Sequence, residues 1–98
     1  MDKEGLLDKE FNRIVGEVLK AKREKRGYSL QDLSNKINNK VSRQTLNKYE
    51  NNLSNIRNGV FASICEALGE KPEEVFEEIS LKYMRLVDKI KEEKFKGR

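Results

Sequence analysis

The stretch "SRQTLNKYENN", residues 42–52, is too polar for a core helix and too regular for a loop. Ser42 is a typical helix N-cap, and the spacing of Leu46 and Tyr49 predicts a helix over residues 42–50 with those two side chains facing inward. The outer face of this helix is entirely polar and carries Arg43, Gln44, Asn47 and Lys48, with Thr45 at its margin. Exposed helix faces are commonly polar, so the surrounding sequence has to indicate whether this one has a ligand.

The side chains on this outer face have the chemistry that DNA recognition uses. Arginine pairs with the O6 and N7 acceptors of guanine, glutamine and asparagine pair with the edge of adenine, and lysine reaches guanine or phosphate. A helix with such a face fits the major groove, and the side chains near its N-terminus reach deepest. The face favours DNA binding, provided that the rest of the fold presents it.

Helical periodicity on both sides of this stretch predicts an all-α fold of five helices. The first helix has an apolar stripe at i, i+4, i+7 and i+11, formed by Leu7, Phe11, Ile14 and Val18. This helix should end at Gly27, and Ser29 caps a short second helix that "NNK" at 38–40 ends. A fourth helix should end at Gly69, and a fifth should run from Pro72 to about residue 94. A short helix, a tight connection and the polar-faced helix together form a helix-turn-helix order.

Basic residues are concentrated in the middle of the chain. The formal net charge of the 98 residues is +4, whereas residues 20–58 hold ten basic and three acidic side chains, a net charge of +7. The flanking segments, 1–19 and 59–98, are slightly acidic. A positive field around the helix-turn-helix is what a polyanion-binding surface requires.

Composition argues against several other classes of protein. The chain has no histidine and no glycine-rich phosphate loop, so we expect no enzyme activity, no metal site and no cofactor. It has no apolar run long enough to cross a membrane, and its N-terminus does not resemble a secretory signal. The single cysteine, Cys65, has no partner for an internal disulfide, which fits a cytoplasmic protein, and its inner-face position predicts a core residue.

Residues 19–76 resemble the phage repressor and Cro-like helix-turn-helix domain, the XRE family. The resemblance lies in "LKAKREKRGYSLQDLSNKI", "VSRQTLNKYEN" and "FASICEALGEKPEEVF". The family pattern is matched by Arg23, Leu33-Ser34, Val41-Ser42, Glu50-Asn51 and Ala67-Leu68-Gly69. What the resemblance implies is a five-helix domain that binds DNA sequence-specifically, typically as a dimer.

The resemblance also implies roles for individual residues. Base contacts are implied for Arg43, Gln44, Thr45, Asn47 and Lys48. Phosphate contacts are implied for Ser29, Gln31, Ser42, Asn51 and Asn52. The loop residues Lys40, Asn55 and Arg57 either suit phosphates or are ordinary solvated side chains. An ion pair between Arg23 and Glu50 is implied, which would hold the third helix at a fixed angle to the first.

Three positions depart from the family pattern. The turn between the second and third helices is about two residues longer, because "NNK" replaces a single glycine. Leu30 stands where glutamine is frequent, and Asn52 stands where glycine is usual, although asparagine still adopts left-handed backbone. The longer turn leaves open how the third helix is tilted.

The chain divides into a helix-turn-helix domain at 13–76, an extension of the first helix at 1–12 and a C-terminal helix at 77–98. Apolar residues spaced 3, 4, 3 and 4 apart form the pattern of a coiled-coil seam: Phe76, Ile79, Tyr83, Leu86 and Ile90. This stripe predicts a dimer seam, packing on the body of the domain, or a surface for a partner protein. The N-terminal Leu6, Leu7 and Phe11 could pack against it.

We therefore expect a cytoplasmic, repressor-like transcriptional regulator that binds double-stranded DNA as a homodimer and reads the major groove with helix 42–50. The alternative is a protein-interaction module on the same fold, such as an antitoxin or adaptor with a regulatory protein partner. An interaction module should tolerate substitutions at Arg43 and Gln44 but not at Tyr83 and Leu86.

Overall fold

The protein is built from five α-helices joined by short turns. The computed structural model describes the backbone of residues 3–96 and the side chains of residues 8–93, and this part of the chain contains no strand. The helices are α1 (Lys3–Lys25), α2 (Leu30–Lys36), α3 (Arg43–Glu50), α4 (Asn58–Ala67) and α5 (Pro72–Lys96). The predicted all-α, five-helix fold is confirmed. The expected packing of Leu6 and Leu7 lies outside the described side chains.

Four of the helices are followed by a left-handed residue. These residues are Gly27 after α1, Asn38 after α2, Asn52 after α3 and Gly69 after α4, with φ angles of 73°, 56°, 58° and 72°. At each end the following N–H bonds back to a carbonyl five residues earlier; after α3, for example, Leu53 donates to Lys48 at 2.8 Å. This is the Schellman arrangement, which satisfies carbonyls that the helix leaves free. The predicted ends at Gly27 and Gly69 and the left-handed Asn52 are confirmed.

All five helices contribute to one apolar core. Its buried members are Ile14, Val15, Val18, Leu19, Leu33, Ile37, Val41, Leu46, Ile64, Cys65, Leu68, Val75 and Ile79. Removing such surface from water stabilises a fold by about 25 cal/mol per Å². Cys65 is completely buried, which confirms its predicted place in the core.

The first half of α5 packs on the domain. Ile79 is completely buried in the core, and Tyr83 and Leu86 pack against the core. The ring of Phe11 in α1 meets the ring of Tyr83 edge-on, with centroids 5.2 Å apart, and lies 6.1 Å from the ring of Phe76. The predicted seam is therefore corrected. Three of its five residues are used inside the chain, because the same stripe closes the core, while Phe76 and Ile90 stay exposed.

Candidate nucleic-acid interface

A buried ion pair fixes the C-terminal end of α3 to α1. Arg23 Nε donates to Glu50 Oε2 at 2.7 Å, and Arg23 Nη2 donates to Glu50 Oε1 at 2.9 Å. The remaining nitrogen, Nη1, donates to the carbonyl of Tyr28 at 2.7 Å. The hydrogen bonds that the Arg23 guanidinium donates to Glu50 raise its pKa further above the ordinary value. The pair that the resemblance implies is present and holds α3 in one orientation.

The helices α1 and α3 also approach closely at Gly16. A Cβ atom at this position would lie 2.5 Å from the carbonyl oxygen of Tyr49 and 3.0 Å from that of Glu50. The last carbonyls of α3 therefore rest on a residue that must have no side chain. Gly16 is absent from the predicted site, although a glycine inside a regular helical pattern is a known signal of close packing.

The outer face of α3 is exposed to solvent. Leu46 is 1% exposed and Tyr49 is half-buried, so the opposite side of the helix points outward. On that side Arg43, Gln44, Asn47 and Lys48 are exposed, and Thr45 is half-buried at the margin. The structure thus brings the five predicted base-contacting residues to one surface. Their contacts with DNA remain a prediction.

The N-terminus of α3 is capped by Ser42. Its hydroxyl oxygen accepts from the Thr45 N–H at 3.2 Å, and the hydroxyl donates to Thr45 Oγ1 at 3.0 Å. The cap confirms the predicted start of α3 and fixes the first turn, which carries Arg43 and Gln44. Ser42 is also a predicted phosphate contact, and its hydroxyl is engaged with Thr45 here.

The surface around α3 is strongly positive. Between Asp32 and Glu50 the sequence has no carboxylate side chain and four cations: Lys36, Lys40, Arg43 and Lys48. The N-cap of α4, Arg57, adds a fifth exposed cation near the same region, since Lys40 and Arg57 line one groove of about 370 Å³. Cations without neighbouring carboxylates attract an anionic polymer at long range.

The longer turn before α3 is held in a defined shape. Asn38 and Asn39 both have left-handed backbone, with φ angles of 56° and 58°. The Asn39 N–H donates to the Ser34 carbonyl at 2.9 Å, and the buried Ser34 hydroxyl donates to the Val41 carbonyl at 2.7 Å. Two asparagines in left-handed conformation accommodate the longer turn. Val41 and Leu46 are therefore still buried in the core.

Two predicted phosphate contacts use their polar groups inside the protein. Asn51 Nδ2 donates to the Asn47 carbonyl at 2.8 Å and to Asn47 Oδ1 at 2.9 Å, so Asn51 caps the end of α3. Asn55 Oδ1 accepts from Asn12 Nδ2 at 2.9 Å. The structure gives both residues local partners, and their phosphate contacts remain predictions.

The N-terminus of α2 is occupied by a carboxylate. Ser29 N–H donates to Asp32 Oδ2 at 2.8 Å, and the Asp32 N–H donates to Ser29 Oγ at 3.0 Å, which completes a capping box. The bond from the Ser29 backbone lowers the pKa of Asp32 below its ordinary value, so Asp32 is ionised at neutral pH. Its negative charge opposes a phosphate at Ser29. The nearby Gln31 is exposed and donates to Asn35 Oδ1 at 3.0 Å.

The described residues do not meet the requirements of a metal site, a membrane span or a reactive thiol. Over that part of the chain no group of carboxylate and thiol side chains has the arrangement of a metal site. Among the same residues no helix is both long and apolar enough to cross a bilayer. Burial raises the pKa of the Cys65 thiol to about 11, which leaves it protonated and unreactive at neutral pH.

Comparison with known proteins shows which family the chain belongs to and which solved structures share its fold. A family model described as helix-turn-helix, HTH_3, matches residues 19–75. Two solved structures of the clp gene regulator ClgR from Corynebacterium glutamicum are similar to this fold. One is 21% identical with a TM-score of 0.72, covering 87% of this chain and 88% of its own. The other is 25% identical with a TM-score of 0.65, covering 74% and 91%. The curated protein sequences give no significant match.

Proposed function

This chain belongs to the helix-turn-helix family HTH_3, and we infer from that membership and from the surface of α3 that it is a DNA-binding transcriptional regulator. The helix α3 enters the major groove of double-stranded DNA. Arg43, Gln44 and Lys48 contact bases, and Thr45 and Asn47 add contacts at the margin. The similarity to a gene regulator, ClgR, supports a regulatory role.

The main support for this proposal is that the outer face of α3 is polar and exposed while its C-terminal end is held firmly against α1. The outer residues of α3 face solvent, while its C-terminal end is held by the Arg23–Glu50 pair and by the contact with Gly16. Base recognition needs side chains presented at a fixed angle, because bidentate hydrogen bonds tolerate little misplacement. The two contacts with α1 hold α3 in the constant orientation that such recognition requires.

Phosphate contacts come from the cations around α3. Lys40 and Arg57 are exposed and line one groove, which supports both as phosphate contacts. Each neutralised phosphate releases counterions, so the affinity falls with salt with a log–log slope of about −0.9 per contact. The regulator acts by occupying its site, where it blocks or recruits the polymerase.

The dimer contact lies on the side of α5 that faces away from the core. This side exposes two large apolar side chains, Leu81 and Met84.

An antiparallel pair would bring the acidic start of α5, with Glu73, Glu74 and Glu77, against an end of mixed charge, where Lys89 and Lys91 lie among Asp88, Glu92 and Glu93. In a pair that crosses at Met84, Glu77 lies opposite the partner subunit's Lys91, since both are seven residues from Met84. Such a dimer binds two half-sites on the DNA. We place the protein in the cytoplasm and assign it no enzyme activity.

The exposed apolar residues of α5 also favour a second candidate, a protein-interaction module of the antitoxin or adaptor type. In that case Leu81 and Met84 would bind a regulatory protein, and α3 would be an ordinary solvated helix. Tyr83 and Leu86, first expected to discriminate the two functions, pack against the core and would instead destabilise the fold when changed. Met84, which is 50% exposed, is the better position for that test.

The proposal is tested by selecting bound duplexes from a random DNA library at roughly 100–150 mM salt, where nonspecific phosphate binding is weakened. The wild-type chain should enrich a two-fold symmetric motif with half-sites about 34 Å apart. The variant Arg43→Ala/Gln44→Ala should lose that enrichment. Arg85→Ala is the matched control, because it removes one exposed positive charge from α5 and leaves α3 intact. A folded wild-type chain that enriches no motif would leave the interaction module as the better account.

A further inference from the structure

We propose that the turn Asn38–Asn39–Lys40 is a second DNA contact, which binds the phosphodiester backbone beside the groove that α3 enters. This inference rests on the proposed function and adds to it two residues, Asn38 and Asn39, that neither the sequence pattern nor the family resemblance assigns. The ligand is a phosphate oxygen of the DNA strand, bound by side-chain amides and one ammonium group.

The turn is rigid enough to present side chains. The N–H groups of Asn38, Asn39 and Lys40 donate to the carbonyls of Asn35, Ser34 and Ile37 at 3.0, 2.9 and 3.2 Å. Beneath them the Ser34 hydroxyl, 2% exposed as a residue, donates to the Val41 carbonyl at 2.7 Å. The backbone donors of the turn are therefore used internally. Its side chains are the groups left to meet a ligand.

These side chains are exposed and immediately precede the proposed reading helix in the chain. Asn38, Asn39 and Lys40 come directly before Val41 and Ser42, which lead into α3. Lys40 also shares the rim of a groove with Arg57. The segment 33–49 contains no carboxylate, so nothing in it repels a phosphate from the turn.

The position favours phosphates over bases. The major groove is about 8.5 Å deep, and α3 fills it in the proposed complex. In that complex the side chains of α3 occupy the groove floor, which leaves the phosphates of the adjoining strand to the turn. Amide N–H groups are ordinary partners of phosphate oxygens, and such contacts position a protein without reading sequence.

The decisive variant is Asn38→Gly/Asn39→Gly. Glycine adopts positive φ without steric cost, so the turn keeps its shape while both amides are removed. The Ser34 hydroxyl keeps its short bond to Val41, since its separation from Asn39 Oδ1 is the longer one at 3.4 Å. Affinity for the selected duplex should fall roughly 3- to 30-fold, as expected for two lost hydrogen bonds. The loss should be equal on a duplex with altered half-site bases.

Charge provides a second, independent readout. The glycine variant should leave the salt slope of log affinity unchanged, because it removes no charge, whereas Lys40→Ala should make the slope shallower by about 0.9. Asn39→Asp keeps the size of the side chain and its tolerance of left-handed backbone but adds a carboxylate. It should weaken binding more than the glycine variant does. Thermal unfolding of each variant checks that the fold is intact.

The outcomes separate this inference from the proposed function. If the wild-type chain selects a duplex and the folded glycine variant binds it equally well, the turn is not a DNA contact and the role of α3 stands. A loss that depends on the half-site bases would mean that the asparagines read bases, which overturns the phosphate assignment. If the wild-type chain selects no duplex, the proposed function fails, and this inference fails with it.

Discussion

The guanidinium of Arg23 and the carboxylate of Glu50 form two parallel hydrogen bonds, 2.7 and 2.9 Å long, between the last turn of α1 and the last residue of α3. The side chains are only 11% and 7% exposed. Because both charges are shielded from water, each depends on the other for compensation. The pair is the main polar link between the body of the domain and the proposed reading helix.

Replacing one member of this pair should destabilise the fold strongly. Glu50→Gln leaves the Arg23 charge buried without its carboxylate and should lower the free energy of unfolding by about 3–5 kcal/mol, the range for a broken buried pair. The double variant Arg23→Met/Glu50→Leu removes both charges and should be more stable than Glu50→Gln alone. Urea denaturation followed by circular dichroism measures both. The single variants Arg23→Met and Glu50→Leu complete the comparison. A double variant whose loss equals the sum of these two single losses would show that the two residues act independently.

Gly16→Ala should push α3 away from α1. The added Cβ would lie 2.5 Å from the Tyr49 carbonyl oxygen, which is backbone and cannot swing aside. We expect a loss of about 1–3 kcal/mol in unfolding free energy, as for overpacked cores, and weaker binding to the selected duplex. The matched control is Gly59→Ala, also within a helix, where an added Cβ has no atom within 4 Å. The control should be neutral or slightly stabilising, because alanine has the higher helix propensity. Equal effects at both glycines would contradict the close approach.

The Cys65 thiol should be inert in the folded protein at pH 8. Its pKa is raised to about 11 by burial, which disfavours the thiolate. A raised folded-state pKa means that the stabilising contribution is complete below the ordinary thiol value of 9.0 and is lost as the pH rises toward 11. The wild-type chain should therefore lose stability above pH 9, and Cys65→Ala should lose less over the same range. Labelling with a chromogenic disulfide measures reactivity, with the urea-unfolded chain as reference. Rapid labelling of the native chain would show an accessible thiol.

The antiparallel pairing of α5 predicts a charge-swap experiment. Glu77→Lys and Lys91→Glu each place like charges opposite one another twice in a symmetric dimer, and each should weaken dimerisation roughly tenfold. The combined variant Glu77→Lys/Lys91→Glu restores opposite charges and should recover the dimer. Sedimentation velocity at low salt measures the dimer dissociation constant. Lys20→Glu, a charge reversal on the exposed surface of α1, serves as the control. A combined variant as weak as either single one would rule out this pairing.

Features that depend on neighbouring residues are well predicted from the sequence. The caps at Ser29 and Ser42 and the ends at Gly27 and Gly69 are all found where the residue types place them. A cap needs a hydroxyl and a backbone N–H about three residues apart, and both are encoded in one short segment. The polar outer face of α3 follows in the same way from the period of the helix.

The use of each face was decided by contacts between distant parts of the chain. The stripe of Ile79, Tyr83 and Leu86 fits a dimer seam and a packed core equally well as a pattern. Phe11 and the core occupy it, which the spacing within α5 could not reveal. Asn51 has the residue type for a phosphate contact, and in the fold its amide donates to Asn47.

The five helices, their caps, the positive middle segment and the polar face of α3 follow from residue type and spacing within a few turns. Three other features arise only when the chain packs: α3 rests on Gly16, Ser34 holds the turn before α3, and one side of α5 stays exposed. These features depend on where two helices meet. The meeting point results from packing the whole core at once, and no local pattern encodes it.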